Sequence, residues 1–380
     1  MDFTLNENQT MFRDMVRDFA RQEIAPIAQQ MDEENGMPAD LVEKMKEGGF
    51  FGIAFPEQYG GLGADTITYG LVVEELAKVS AGVCVMLTVH NSVGSYPVAM
   101  FGSEEIKQEF LPRMAAGEIA AFCVTEPGAG SDAASITTTA RRDGDEYILN
   151  GNKIFVTNGQ RAAFFVVIAR TPGTTGHKDT HAFIVPRGTP GLIVGKKEDK
   201  MGLRASDTAV IDFEDARVPA VQLLGNEGDG FKIAMAALDG GRIGIAFQSL
   251  GIGEACLEEA VRYANMREQF GKPLMKQPVI GGMIADMGTE LEAARLLALQ
   301  AAWLKDQGKP YSKQAAMAKL MCSEAAWRAA DKAVQIHGGY GYCKEYPVER
   351  YYRDVRVTRI YEGTSEIQRL VISRHIAKEY

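Results

Sequence analysis

The 380-residue sequence is short of several things, and each shortage closes off a class of function. It holds five cysteines (Cys84, Cys123, Cys256, Cys322 and Cys343), scattered and without C-x-x-C spacing. That pattern excludes a disulfide framework and leaves free thiols, packed as small apolar groups in a reducing compartment. The five histidines are dispersed as well, and no metal site is expected. No apolar run reaches bilayer-spanning length. The opening MDFTLNENQTMFRD has neither the apolar core of a signal peptide nor the acid-poor, Arg- and Ser-rich character of a transit peptide. The expectation is a cytoplasmic protein with no membrane insertion. Basic charge is in deficit as well: 41 Lys and Arg against 50 Asp and Glu, net -9, argue against a nucleic-acid surface or docking to acidic lipid. An anionic small ligand stays open if positive charge is gathered locally.

What is present divides the chain into three zones. Residues 1–120 read as a helical domain. MFRDMVRDFARQEIAPIA carries Met11, Met15 and Phe19 at helical spacing, and YGLVVEELAKVSAGVCVMLTVH, apolar on nearly all sides, predicts one buried helix. Residues 121–231 read as a β domain. Asn150-Gly151, between two β-prone runs, predicts a hairpin turn, and AFFVVIAR, HAFIVP and TAVIDFEDARVP continue as strands. Residues 232–380 return to long helices. Ile284, Met287, Leu291, Ala294 and Ala298 form a bundle seam closed by Gly308 and Pro310, and an Ala-rich helix follows, ending at Gly338-Gly339. The methionines and aromatics of these faces are assigned to the core. The architecture expected is mainly α with a central β domain.

The loops are the candidate ligand sites. In AFCVTEPGAGSDAAS, Gly128 and Gly130 allow close backbone approach, and Ser131 with neighbouring N–H groups suits an anion, although neither the Walker nor the dinucleotide spacing is met. REQFGKPL is a basic-aromatic connector, and QIHGGYGY is a cap and turn. Arg350, Arg353, Arg356 and Arg359 recur every third residue, enough to hold acidic groups, though a solvated helical face is the usual outcome. In RVTRIYEGTSEIQRL, Ser365 and Gln368 have the form of a capping box. A helix is therefore predicted to start near Thr364, with Glu362 just before it, where exposed N–H groups and the helix dipole favour negative charge. To be a base rather than a helix-start charge, Glu362 needs a pocket, a cofactor and a substrate.

Together, FCVTEPGAGSD, GNKIFVTNG, REQFGKP, QIHGGYGY, YPVERYYRD and IYEGTSEIQR, in this order over essentially the whole chain, resemble the acyl-CoA dehydrogenase family. The resemblance implies an N-terminal helical domain, a β-sandwich or barrel-like middle domain and a C-terminal four-helix bundle. It further implies FAD as cofactor, an acyl-CoA substrate converted to the trans-2-enoyl-CoA, an electron-transferring flavoprotein as acceptor, and a homotetramer. Glu362 matches the base that removes the C2 proton, while the C3 hydrogen passes as hydride to flavin N5. The enolate oxygen is then held by the N–H of the base residue and a ribityl hydroxyl.

The same resemblance places Phe122, Val124, Thr125, Phe155 and Thr157 along the flavin, and Ser131 at its pyrophosphate and the nearby CoA. Arg267, Phe270, Gln335, Gly338 and Gly339 fall on contacts to a neighbouring subunit's FAD, and Thr364 and Glu366 on the FAD of their own chain. Asp239, Arg242, Tyr361 and Gly363 match the substrate and base region, and Leu87, Val89 and Asn91 the floor of the acyl pocket. Some relatives carry the base at the position of Gly241, which leaves Glu362 without a rival there. Cys84, where glutaryl-CoA relatives have an arginine, disfavours a dicarboxylyl substrate. His337 replaces a more usual apolar residue and is expected to be buried and satisfied. Similarity of KKEDKMGLRAS and GFKIAMAALDGGRIG to butyryl-CoA dehydrogenases favours a short saturated chain. Branched, alicyclic and arylalkyl chains, the reverse enoyl-CoA reduction and a non-catalytic CoA- or flavin-binding scaffold stay open as alternatives.

Overall fold

The computed structural model describes residues 4–380. The chain begins with helices α1 (Glu7–Phe19), α2 (Ala28–Glu33), α3 (Ala39–Glu47), α4 (Thr66–Val79), α5 (Ala81–Val89), α6 (Tyr96–Phe101) and α7 (Glu104–Ala115). The apolar run expected to be one helix is two. Ser80 turns the chain into an extended conformation and its hydroxyl accepts from Val83 N–H, capping α5. The predicted apolar face of α1 is also misplaced. Met11 and Met15 are exposed, and Val16 with Ala20 enters the core instead. The docking of α1 on α4 is pinned by Arg17, which binds both oxygens of Glu75.

Eight strands then form one sheet: β1 (Ala120–Cys123), β2 (Thr139–Asp143), β3 (Glu146–Thr157), β4 (Phe164–Arg170), β5 (Thr180–Pro186), β6 (Leu192–Lys197), β7 (Thr208–Pro219) and β8 (Leu223–Leu224). The order is β6-β7-β3-β2-β4-β5-β8, with β1 pairing parallel to β4. Asn150-Gly151 does not make the predicted hairpin. β3 runs straight through it, and the chain reverses earlier, at Gly144, between β2 and β3. Asn150 instead makes two hydrogen bonds to Asp215 across β7, at a register slip beside Gly151, where any Cβ would collide with Thr138. Long-range pairing overrides the local turn signal here.

The last section holds α8 (Gly230–Met266), the short hairpin β9 (Glu268–Gln269) and β10 (Lys272–Pro273), then α9 (Pro278–Asp306), α10 (Ser312–His337), α11 (Val348–Val355) and α12 (Ser365–Ile376). Helices α8, α9 and α10 pack on one another, α4 lies against α8, and α12 against α10. The seam on α9 is as expected at Met287, Leu291, Ala294 and Ala298, but Trp303 faces outward. The arginine ladder is no solvated face. Arg350 is buried and donates to the Val79 carbonyl, Arg353 forks onto Asp32, and Arg359 pairs with Glu324. Arg350 and Arg353 fasten α11 to the first helical section, and Arg359 fastens its continuation to α10. Four of the five cysteines are buried, Cys343 is exposed, and all are free. Among the described residues no helix is long and apolar enough to cross a membrane, and no cluster of metal-ligating side chains occurs.

The seam between the first helices and the sheet positions the site. His90, in the irregular turn after α5, accepts from Ala120 N–H at Nδ1 and donates to Phe51 O from Nε2. Burial pushes its pKa down to about 4, so it stays a neutral bridge. Asn158, at the end of β3, donates to the carbonyls of Met86 and Ala120.

Candidate active site

Glu362 sits in the segment between α11 and α12, on a left-handed backbone (φ 50°), followed by Gly363 at φ 91°. Two such residues in sequence turn the side chain inward, towards α8. Its Oε2 is shielded from solvent and has no hydrogen-bond partner. A Cβ built on Gly241 would lie 2.2 Å from that oxygen and 3.1 Å from Val93 Cγ1. The bare backbone of Gly241 therefore makes room for the carboxylate. Burial pushes the Glu362 pKa up to about 7, against the opposing charges of Lys319 and Arg242. Desolvation outweighs the helix-start effect expected from the sequence.

The helix starts near Thr364 as predicted, but the capping residue differs. Thr364, not Ser365, is the N-cap, its hydroxyl accepting from Ile367 N–H. Ser365 donates to Glu324, and Gln368 donates to the carbonyls of Glu362 (3.1 Å) and Gly363 (2.9 Å). Gln368 thus ties the Glu362 peptide group to α12 rather than completing a capping box. Tyr361 is held by Gln248 on α8 at 2.9 Å, and Arg242, buried beside the site, pairs with Asp239.

On the sheet side, Phe122, Val124 and Thr125 run along and just beyond β1, half-buried, with Thr157 half-buried at the end of β3. Phe155 stands 62% exposed on a left-handed backbone (φ 56°) where β3 slips register against β7. The loop after β1 is anchored by Glu126. Lys153 Nζ, fully buried, donates to Glu126 Oε1 (2.7 Å) and to Val124 O (3.0 Å), while Thr137 and Thr138 donate to the same carboxylate. Burial would raise the Glu126 pKa, but the Lys153 charge and these hydrogen bonds hold it down at about 2.

Comparison with known proteins decides the family. Three family domains match in order: "Acyl-CoA dehydrogenase, N-terminal domain" over residues 6–118, "middle domain" over 121–216 and "C-terminal domain" over 228–377. The chain belongs to the acyl-CoA dehydrogenase family. It is 52% identical to an acyl-CoA dehydrogenase of Bacillus subtilis over 373 residues, 98% of each chain. It is 48% identical over 377 residues to the short-chain specific acyl-CoA dehydrogenase of Clostridium acetobutylicum, covering 99% of this chain and all of that one. Butyryl-CoA dehydrogenase from Megasphaera elsdenii superposes with a TM-score of 0.97 at 45% identity, covering 99% of this chain and 100% of that one. A chain solved in work on the electron-transferring flavoprotein of Acidaminococcus fermentans gives 0.97 at 50% identity, covering 99% of both. The family's enzymes are flavin-dependent oxidoreductases that bind FAD.

Within this acyl-CoA dehydrogenase fold, Glu362, Arg242, Asp239, Tyr361 and Gly363 come together around α8. Ser131 is exposed at the end of its loop, and Thr364 and Glu366 lie at the start of α12. Arg267 and Phe270 belong to the β9–β10 hairpin, with Phe270 94% exposed at its tip, and Gln335, Gly338 and Gly339 are exposed at the end of α10. Both groups lie on the outer surface. Leu87 is fully buried in the core and Asn91 donates to the carbonyls of Phe50 and Leu87. The residue of that stretch beside Gly241 is Val93, whose Cγ1 would lie 3.1 Å from a Cβ built there. His337 is buried and stacks on Tyr263 with Nδ1 bonded to Ala333 O, but its Nε2 is unpartnered, so it is only half satisfied.

Sequence reasoning missed Lys153 and Glu126, Gln248, Gln368, Val93 and Lys319. For Lys319 a signal existed. It stands on the helical stripe shared by Ala315, Cys322 and Ala326, all buried, where a solvated lysine has no place.

Proposed function

We propose that this protein catalyses the FAD-dependent α,β-dehydrogenation of a short-chain acyl-CoA, with Glu362 as the base that takes the C2 proton. The observation that carries this reading is Oε2 of Glu362, unpartnered, shielded from solvent and facing the bare backbone of Gly241, with the pKa of the carboxyl raised to about 7. Such a group has no structural bond to keep and is ionised enough near neutrality to accept a proton. FAD, when bound, supplies the acceptor for the C3 hydrogen at its N5. The residues fit it: Phe155 presents an exposed apolar face, and Phe122, Val124, Thr125 and Thr157 line the adjoining strands.

The C2–H bond breaks with its proton going to Glu362, and its electron pair closes the C2–C3 double bond as the C3–H pair departs. The N–H of Glu362 donates to the thioester oxygen as negative charge develops there. Arg242 and Tyr361 frame the carboxylate, and Ser131 serves the phosphates. Electrons pass to an electron-transferring flavoprotein, a reading supported by likeness to the chain from Acidaminococcus fermentans. Phe270, at 94% exposure, and Tyr342, at 89%, support a tetramer in which Arg267, Phe270 and the Gln335–Gly339 turn meet a neighbour's FAD. Sedimentation that found an active, flavin-loaded monomer would remove that part. A cytoplasmic location completes the proposal.

The test is Glu362→Gln. It should retain FAD and bind acyl-CoA, but flavin bleaching by butyryl-CoA should slow by ~10²–10⁴. Near-normal bleaching would move the base elsewhere. A panel of acyl-CoA thioesters scored by the bleaching rate should rank short straight chains first.

A further inference from the structure

We propose that Lys319 is a positioning residue for the base: its buried ammonium clamps the Gly363 carbonyl, and its charge sets the pH at which Glu362 becomes a carboxylate. This rests on the assignment of Glu362 as base.

The geometry is unusual for a lysine. Lys319 is fully buried on α10, and its Nζ donates to Gly363 O at 2.8 Å. Lysine is almost never fully buried unless paired, yet among the described residues no carboxylate oxygen lies within 4.0 Å of this Nζ. An ammonium offers three donors, and one is used here. The oxygen it holds belongs to the residue directly after the base, and Gln368 donates to the same oxygen. Two donors from two helices therefore fix a turn in which a non-glycine residue, Glu362, is left-handed. A hydrophobic residue of similar length would pack in this Ala-rich face, so packing alone does not call for a charge.

The surroundings of Glu362 say what the charge is for. From α8 comes Arg242, already paired with Asp239, and from α4 comes Tyr69. Tyr361 adjoins Glu362 on its own segment. From α10 comes Lys319, itself faced by Glu324 of α10, which Arg359 and Ser365 bind, and by Glu366 of α12. Lys319 is thus the cation of this set whose field no paired carboxylate cancels. Burial raises the Glu362 pKa, and Lys319 is the foremost group opposing the rise. Burial likewise pushes Lys319 down to about 7, with Glu362 as the foremost group holding it up. Each stabilises the charged form of the other. Take the positive charge away and the carboxylate becomes costlier, so Glu362 stays protonated to a higher pH.

The test uses the FAD-loaded enzyme, butyryl-CoA, and two variants followed across pH by the rate of flavin bleaching. Lys319→Met removes charge and hydrogen bond. Lys319→Gln removes the charge but keeps a donor for Gly363 O. In both, the acid limb of the rate profile should move up by about one to three pH units. The rate should fall at least ~10-fold below that limb and recover towards wild type above it. An unmoved limb in both variants, with the whole profile merely scaled down, would overturn the proposal. A limb that moves in Lys319→Met alone would assign the effect to the hydrogen bond and overturn the role of the charge. Should neither variant fold, the coupling is read from the other side by NMR of the lysine ε-methylene in the holoenzyme. Lys319 should lose its proton at lower pH in Glu362→Gln than in wild type, and an unchanged titration would overturn the proposal. A Glu362→Gln enzyme that still bleaches sinks the base assignment. An inert one combined with an unmoved limb sinks only the role of Lys319.

Discussion

Glu126 and Glu362 both lie in buried surroundings that contain a fully buried lysine, and their protonation diverges. Glu126 receives Lys153 directly at 2.7 Å, with Thr137 and Thr138 on its remaining lone pairs, and its pKa falls to about 2. Glu362 receives nothing on Oε2. Its lysine is bonded to a neighbouring carbonyl instead, and its pKa rises to about 7. The difference lies in where the ammonium donates. Direct contact makes a structural ion pair that locks the loop after β1. Contact one residue away leaves a carboxylate biased towards ionisation but free to take a proton. A fully satisfied polar cluster builds rigidity, while a deliberately unsatisfied one keeps reactivity.

The comparison breaks most severely on the Glu126 side. Lys153→Met strands a buried carboxylate and should cost about 3–5 kcal/mol. Denaturation of the holoprotein would read this, with weakened FAD retention as the loop loosens. On the Glu362 side, Gly241→Ala puts a methyl where Oε2 now lies. Bleaching by butyryl-CoA should slow by roughly 10–100-fold because the carboxylate is turned aside. Stability should not fall with it, since Ala is the better helix former by about 1 kcal/mol. A matching loss of stability would mean that the methyl disrupts packing rather than the base.

The pH profile separates the two carboxylates without mutation. Because the Glu362 pKa is raised, its base form is lost as pH falls through about 7, and the bleaching rate should drop about tenfold per pH unit below that. Glu126, depressed to about 2, contributes stability that is complete above the ordinary carboxylate range and is lost only as pH falls towards 2. The smallest effect belongs to Thr137→Val. It removes one hydroxyl from Glu126 Oε2 and should cost about 1 kcal/mol, leaving the activity profile in place.

Much of this was legible in the sequence. The succession of helices, strands and long helices follows from hydrophobic period, and Glu362 stands out through a motif that survives as a contiguous string. What failed, failed for physical reasons. Asn150-Gly151 carries a strong local turn signal, but pairing with β7 over twelve residues outweighs it. Met11 and Met15 satisfy a helical period, but which face is buried is set by where α4 lies. The arginine ladder reads as solvated because its partners, Asp32, Glu324 and the Val79 carbonyl, are distant in the chain.

By itself the sequence determined the family, the order of its three sections and the identity of the acid at residue 362, since these depend on residue type and short spacing. Only the tertiary structure decided that one oxygen of this acid is shielded and unpartnered and that its pKa is close to neutral. Those properties come from the missing side chain at Gly241, the buried ammonium of Lys319 and the shielding of α8. All three are contributed by segments that meet Glu362 only after the helices have packed.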